Sequence, residues 1–336
     1  MELSPIPAYL FNKLHRVVTR LEPWGILLAL IAFSVDYQDR IEERKERQIE
    51  RTMRAWQIVA SKNIPGHAKS ESIVYLGGKG LLVNANLPDL ELSGSGLRNT
   101  DLGGADLRGS KLSKADLFSA NLKDVELNGA TLRSTDLSVV ADLSGADLSR
   151  ADLTNAILRD SAIHNVNFTK TILVEADMAN ANFNKTTLKG ADMMDANLTG
   201  ASLIRADLSG VNFSDADLSD SILRSAVMKN SILKGAILTN ADMRGVNLVE
   251  SVLSKADFSN AVLINATLDG VDFRDVISLQ GAKLNGSYLT DVNLTNVNLS
   301  SVELIGATMI GVELTGACGD SNTKMPHGFP DLPPCE

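Results

Sequence analysis

From Leu82 onward a large apolar residue returns at every fifth position, through Leu87, Leu92, Leu97, Leu102 and Leu107 to Leu137. One extra residue near Val139-Val140 interrupts the series, which restarts at Leu143 and runs through Leu148, Leu153, Leu158, Ile163 and Phe168 to Phe273. A second extra residue, between Val276 and Ser278, precedes a last run from Leu279 to Leu314. Roughly forty-seven units cover about seven-tenths of the chain. An α-helix needs apolar recurrence near about 3.6 and a half-exposed strand near about 2.0, so a period of five walks around a helix and changes face along a strand. The chain has to turn once per unit.

Two positions before each large residue sits a small one, as at Ala105, Ala115, Ala120, Ala151, Ala176 and Ala191. The residue between is usually Asp or Asn, and two variable positions complete the unit, as in Ala146-Asp147-Leu148-Ser149-Arg150. If each unit is one short extended side and a corner, the small and large residues point inward and the Asp or Asn points outward. Four sides close a coil of twenty residues, and coils stacked through backbone hydrogen bonds make an all-β solenoid with an apolar interior and a polar skin. The repeats amount to about twelve coils, a rod on the order of 55 Å long at roughly 4.8 Å per coil. The expected repeat core includes Leu107, Leu117, Leu148, Leu153, Phe168, Phe183, Leu208, Phe213, Leu233, Leu253, Phe258, Phe273, Leu294 and Leu304, with Phe213, Leu233, Leu253 and Phe273 above one another. Each buried Leu or Phe contributes about 1.5–3 kcal/mol, most of which backbone ordering offsets. Such an interior is too narrow for a ligand.

Composition removes most alternatives. Of 336 residues 44% are hydrophobic, which excludes a disordered acidic chain, and two cysteines exclude a disulfide-dense scaffold. His15, His67, His164 and His327 have no visible partners, so neither a metal site nor a histidine-based catalytic centre is indicated and no cofactor is expected. Gly77-Gly78-Lys79-Gly80 and Gly94-Ser95-Gly96 lack the spacing of a phosphate loop and read as turns. The repeat spaces the many Asp residues singly over a convex surface, which offers no pocket for paired-carboxylate catalysis. Charge is uneven: residues 1–80 carry 12 Lys/Arg against 9 Asp/Glu, and the remainder 20 against 32. An acidic rod with 4% aromatic residues argues against direct nucleic-acid binding.

The unit seen in Ala115-Asp116-Leu117, Ala196-Asn197-Leu198 and Ala206-Asp207-Leu208 resembles that of the pentapeptide-repeat family. The resemblance implies a right-handed quadrilateral parallel β-helix over residues 81–317. Leu90, at a small-residue position, and Ile277, beside the second interruption, depart from the pattern. The ending from Ala317-Cys318-Gly319-Asp320 through Pro326 is similar to the C-termini of bacterial members, and residues 318–336 read as an irregular terminal cap. Cys318 and Cys335 either pair, closing a terminal loop worth about 3 kcal/mol in the chain-entropy model, or stay reduced; nothing in the sequence indicates export.

The N-terminal segment, residues 1–38, holds an apolar run of Trp24, Ile26, Leu27, Leu28, Leu30, Ile31, Phe33 and Val35 between Glu22-Pro23 and Asp36. The run is short against the roughly 20 residues of a spanning helix. A charged amphipathic helix over residues 39–62 follows, with Tyr37, Ile41, Ile49, Met53, Trp56 and Val59 as a sparse apolar stripe, and ends before Asn63-Ile64-Pro65-Gly66. Residues 63–80 read as linker and N-cap. This leader is similar to that of membrane-anchored bacterial members, which implies an inner-membrane anchor, and the basic residues after the run favour a cytoplasmic β-helix. The alternatives are an interfacial helix and a soluble helix packed on the solenoid or in a dimer.

The expected function is a non-enzymatic, membrane-tethered scaffold that presents the solenoid to an unidentified protein partner. The alternative is an acidic DNA mimic acting on DNA gyrase or another DNA-binding protein, as the family resemblance implies for some members. Pairing of two chains, end to end or through the N-terminal helices, stays open.

Overall fold

The computed structural model describes residues 23–138, 142–161 and 163–335, with side chains from residue 31 onward. The chain forms two compact units, Met1–Trp56 and Gln57–Glu336. The described part of the first belongs to helix α1, Pro23–Ala60, which continues into the second. Pro23 suits a first helical position because its missing N–H would have no partner there. Exposed i,i+4 pairs, Arg40–Asp36 at 2.9 Å and Arg47–Glu43 at 3.4 Å, support the charged stretch by a few tenths of a kcal/mol each.

Among the described residues no helix is long and apolar enough to cross a membrane. This corrects the expectation of an inner-membrane anchor, and the cytoplasmic assignment of the β-helix, which rested on it, falls too. The reason is length. The run from Trp24 to Val35 rises only about 18 Å at 1.5 Å per residue, against a hydrocarbon core of about 30 Å, and Asp36, Asp39 and Arg40 follow directly. Ile31 and Val35 are exposed and Phe33 is half-buried, while the side chains of Trp24, Ile26, Leu27, Leu28 and Leu30 lie outside the described residues.

Where the sequence reads as linker, a second helix forms, α2, Gly66–Gly77. Pro65 precedes it in an extended conformation, and the Gly78 N–H closes its end on the Val74 carbonyl at 2.9 Å. Burial explains the helix better than propensity does. Ile73 and Leu76 are buried, and Val59, Ile73 and Leu82 line one small void with Leu87, Leu92, Leu97 and Leu102 of the first coil. The segment thus closes the open end of the apolar core, as a solenoid requires.

The solenoid is a stack of parallel bridges joining each outward Asp/Asn position to the residue twenty further on, beginning with Asn86↔Asp106, Glu91↔Lys111 and Gly96↔Asp116. Among the described residues two stretches extend into regular strands, β1 (Tyr288–Thr290) and β2 (Thr308–Ile310), which pair in parallel. Between successive bridges the chain makes a four-residue turn, such as Ala105 N–H to Leu102 O at 3.0 Å, whose third residue is left-handed. That residue is most often Gly, Asn or Asp, the types that enter this region at least cost.

Both extra residues are absorbed within one coil. Register lengthens to twenty-one from Asn121↔Asp142 to Asp136↔Ile157, returns to twenty at Asp147↔Asn167, and lengthens again from Asp257↔Ser278 to Asp272↔Asn293. The first interruption itself, at Val139-Val140, lies outside the described residues.

At the other end residues 318–335 fold back, with Glu303↔Lys324 and Gly319↔Pro334 as the last bridges. Asp320 ties this cap down. It accepts the Ser301 backbone N–H and hydroxyl, both at 2.8 Å, and the Asn322 N–H at 3.0 Å. These donors, the Ser301 N–H foremost, hold its carboxyl at about 2.

Two predictions follow from this geometry. Gly210 is left-handed, φ +66°, with open space where a Cβ would lie, so Gly210→Ala adds backbone strain without a clash. We expect it to destabilise the protein by about 1–2 kcal/mol in urea unfolding, and Lys170→Gly, at φ 58°, to shift the midpoint the other way. For Asp320 the folded carboxyl lies below its unfolded value of about 3.9, so its contribution is present above that pH and lost as pH falls through about 2. Melting curves between those limits should flatten in Asp320→Asn.

Candidate interaction surface

The outward residue of each unit has a definite backbone role, best followed from Asp101 to Leu107. The Gly104 N–H donates to Lys123 O at 2.8 Å, Ala105 to Leu102 O at 3.0 Å, Asp106 to Ala85 O at 2.9 Å and Leu107 to Glu126 O at 2.8 Å. The remaining N–H of this stretch, on Gly103, finds no carbonyl and donates to Asp101 Oδ1 at 3.1 Å. The same Asx turn recurs at Ser149 on Asp147, Thr199 on Asn197 and Ser219 on Asp217. Asp and Asn therefore stand at the outward position because their side chains bind the one amide that stacking leaves over. Where Asn stacks on Asp, a second bond crosses coils, as from Asn121 Nδ2 to Asp101 Oδ1 and from Asn212 Nδ2 to Asp192 Oδ1, both 2.8 Å. Inward hydroxyls close the turns from inside: Thr135 donates to Leu132 O and Thr186 to Phe183 O, both at 2.6 Å.

Arginines at the corners neutralise much of the acidic skin. Arg98 pairs with Asp116, Arg133 with Asp152, Arg159 with Asp177 and Arg274 with Asp272. Asp242 is held at about 2, first by the hydrogen bonds of Arg244 and further by Arg224, each with a contact of 2.6 Å. About half of each arginine side chain stays exposed, so these pairs add little stability. Their effect is to break up any continuous negative stripe.

Four successive units depart from this pattern. Their outward residues are Ile222, Val227, Ile232 and Ile237, and Val252 stacks above Ile232. Ile232 and Ile237 are each 41% exposed and Val252 is 52% exposed. With no Asx side chain before them, the backbone N–H groups of Arg224, Lys229, Lys234 and Thr239 have no hydrogen-bond partner among the described residues. The corners of the belt carry Arg224, Lys229 and Lys234, so an apolar ring with unused donors and a basic rim interrupts an acidic skin.

The expected core residues Leu107, Leu117, Leu148, Leu153, Phe168, Phe183, Leu208, Phe213, Leu233, Leu253, Phe258, Phe273, Leu294 and Leu304 all lie in the interior, none more than 2% exposed. Rings from adjacent sides meet there, Phe168 with Phe183 at 5.8 Å and Phe258 with Phe273 at 6.0 Å between centroids. Cys318 and Cys335 are joined in the C-terminal cap, their Cα atoms 4.9 Å apart. No group of three or more His, Cys, Asp or Glu side chains able to hold a metal forms among the described residues. The belt was open to sequence reasoning: four successive aliphatic residues at the Asp/Asn position are its signal.

A family model described as "Pentapeptide repeats (8 copies)" matches residues 81–138 and 141–316. Among solved structures the chain is similar to HetL, a pentapeptide repeat protein involved in heterocyst differentiation regulation from the cyanobacterium Nostoc sp. strain PCC 7120. That match has 28% identity over 75% of this chain and 97% of that one, with a TM-score of 0.24. It is also similar to a trypsin-treated form of QnrB1, a plasmid-mediated fluoroquinolone resistance protein, at 19% identity over 60% and 90% of the two chains, with a TM-score of 0.40. A pentapeptide repeat protein from the Arabidopsis thaliana thylakoid lumen matches at 25% identity over 43% and 68%, with a TM-score of 0.13. No curated protein matches the chain. Pentapeptide repeat proteins fold as right-handed β-helices and are generally structural or interaction proteins. With its repeat matched over more than half of its length, the chain belongs to the pentapeptide repeat family.

Proposed function

We propose that this protein is a non-enzymatic interaction scaffold: a four-sided β-helix of about twelve coils over residues 81–317, capped by residues 63–80 and 318–336, that docks a protein partner on the belt of Ile222, Val227, Ile232 and Ile237. The belt carries this reading. The outward position has a structural requirement that Asp and Asn meet, and four successive units give it up together. The gain is an exposed apolar ring, which excludes water well when covered, and a rim of N–H groups without a protein acceptor among the described residues, with Lys229 and Lys234 beside them, that selects carboxylates or carbonyls. The partner is therefore a protein surface with an apolar centre and acidic flanks. The DNA-mimic reading has less support, because arginines sit on the carboxylates that would have to imitate phosphates.

Replacing Ile232 and Ile237 by Asn restores the family's own residue, so the fold should hold or gain about 0.5–1.5 kcal/mol per new Asx bond. Partner crosslinks to the full chain in its native cells should be lost, while Thr187→Asn, on another coil, leaves them intact. Crosslinks that persist unchanged in the Ile232→Asn, Ile237→Asn variant would rule the belt out. A stability loss without any change in crosslinking would assign the β-branched residues to strand propensity instead. In a DNA gyrase supercoiling assay we expect no effect at micromolar protein; inhibition would favour the DNA-mimic reading.

A further inference from the structure

The left-handed corner is the costliest place in each unit for a long side chain, yet between residues 145 and 220 these corners hold charge in a sorted order. One column of bridges runs through Asp147, Asn167, Thr187 and Asp207. The corners before it hold Lys185 and Arg205, and the corners after it Arg150 and Lys170. The column two further round the coil runs through Ile157, Asp177, Asn197 and Asp217. The corners before that one hold Glu175, Asp195 and Asp215, and those after it Asp160 and Asp220. Every charged left-handed corner of the stretch obeys this division. Residues 145–150, 165–170, 185–190 and 205–210, stacked on the first column, carry five Lys/Arg against two Asp, a net +3. Residues 155–160, 175–180, 195–200 and 215–220, stacked on the second, carry one Arg against seven Asp/Glu, a net −6.

Nothing within one molecule accounts for the sorting. The nine charged corner side chains are exposed, and none forms an ion pair among the described residues, whereas the outward Asp152 and Asp177 of the same stretch do find arginines. Bonds such as Glu175 N–H to Met194 O and Asp195 N–H to Ser214 O stack each corner on the next. Glu175, Asp195 and Asp215 therefore follow one another at about 4.8 Å per coil and repel, as do Arg150 with Lys170 and Lys185 with Arg205. A left-handed backbone and stacked like charges are both costs to a molecule on its own.

We propose that the solenoid docks side by side on a second copy of itself, the basic corners of one molecule meeting the acidic corners of the next. Sign, period and height all match. Both surfaces are built on the same coil repeat, so rows that pair at one level pair at every level, and both occupy residues 145–220, so neighbouring rods lie level. The contact joins two different surfaces and leaves one of each free on every pair, which builds open rows rather than closed dimers. Exposed ion pairs contribute at most about 1 kcal/mol each and are screened by salt, so the association needs several rows at once and weakens steeply as ionic strength rises. None of these residues belongs to the apolar belt, so this inference is independent of the partner reading above.

Sedimentation velocity of the full chain tests this at about 0.01 M and about 1 M salt, where charges act over about 30 Å and about 3 Å. The wild type should associate with rising concentration at low salt, and its midpoint should move up by at least about tenfold at high salt. One variant reverses the basic corners (Lys170→Glu, Lys185→Glu, Arg205→Glu) and a second the acidic ones (Glu175→Lys, Asp195→Lys, Asp215→Lys). Each alone should stay monomeric, and their equimolar mixture should associate again. The chain already holds Glu and Lys at left-handed corners, so both variants should fold; if either does not, the salt response of the wild type decides. A wild type that is monomeric at low salt overturns the proposal, as does association that is indifferent to salt or that persists in both variants. A monomeric wild type that binds a polyglutamate peptide, with the binding lost in the first variant, also overturns it and gives the basic corners to an acidic partner protein.

Discussion

The solenoid depends on finding acceptors for the backbone amides that its stacking and turns leave over. Stacking and turn closure supply carbonyls for four N–H groups in a unit, as from Gly104 to Leu107, and where the outward residue is Asp or Asn its side chain takes the fifth. The three fixed positions of the repeat are then three answers to one geometry. A small residue fits beside the turn, a large one fills the interior, and Asp or Asn supplies the acceptor the main chain lacks. Charge is incidental to that third role, since Asn performs it as well as Asp at Asn167, Asn197 and Asn212.

The corner residues meet a separate demand, a left-handed backbone, that the fixed positions do not. Gly, Asn and Asp fill most of these sites, yet Lys114, Lys170, Arg150 and Arg205 also adopt the conformation. The basic side chains that reach the carboxylates of neighbouring coils sit at the other corner position, as Arg98 does on Asp116 and Arg224 on Asp242. One corner position thus sets the backbone turn and the other carries the surface pairing.

The repeat made the solenoid and its interior legible from Leu82 to Leu314, because a period of five leaves only one way to bury the large residue. The ends were less legible, for physical reasons. Helix α2 has just Ile73 and Leu76 as its deeply buried apolar side chains, too few to set a period, and it is stabilised by a coil distant in sequence rather than by its own composition. The apolar run of α1 suggested a membrane anchor because hydropathy is visible in sequence, whereas among the described residues no helix has the apolar length needed to cross a bilayer. Lys69 carried no signal at all: a lysine between His67, Ala68 and Ser70 looks like surface until tertiary packing covers it.

The coils of twenty-one residues bear on how such a rod could change over time. Each coil bonds only to the one below and the one above, and the bridges Asn121↔Asp142 and Asp147↔Asn167 show the columns resuming their spacing one turn after an insertion. A side that begins at Asn86 therefore still lies in the same column at Thr308, past both insertions. Whole coils can be copied or deleted, and single residues slipped in, without rotating one segment of a face relative to another. The molecule behaves as a measuring stick whose graduations survive miscounting, so that a partner spanning several coils would read distance along it rather than position in the sequence.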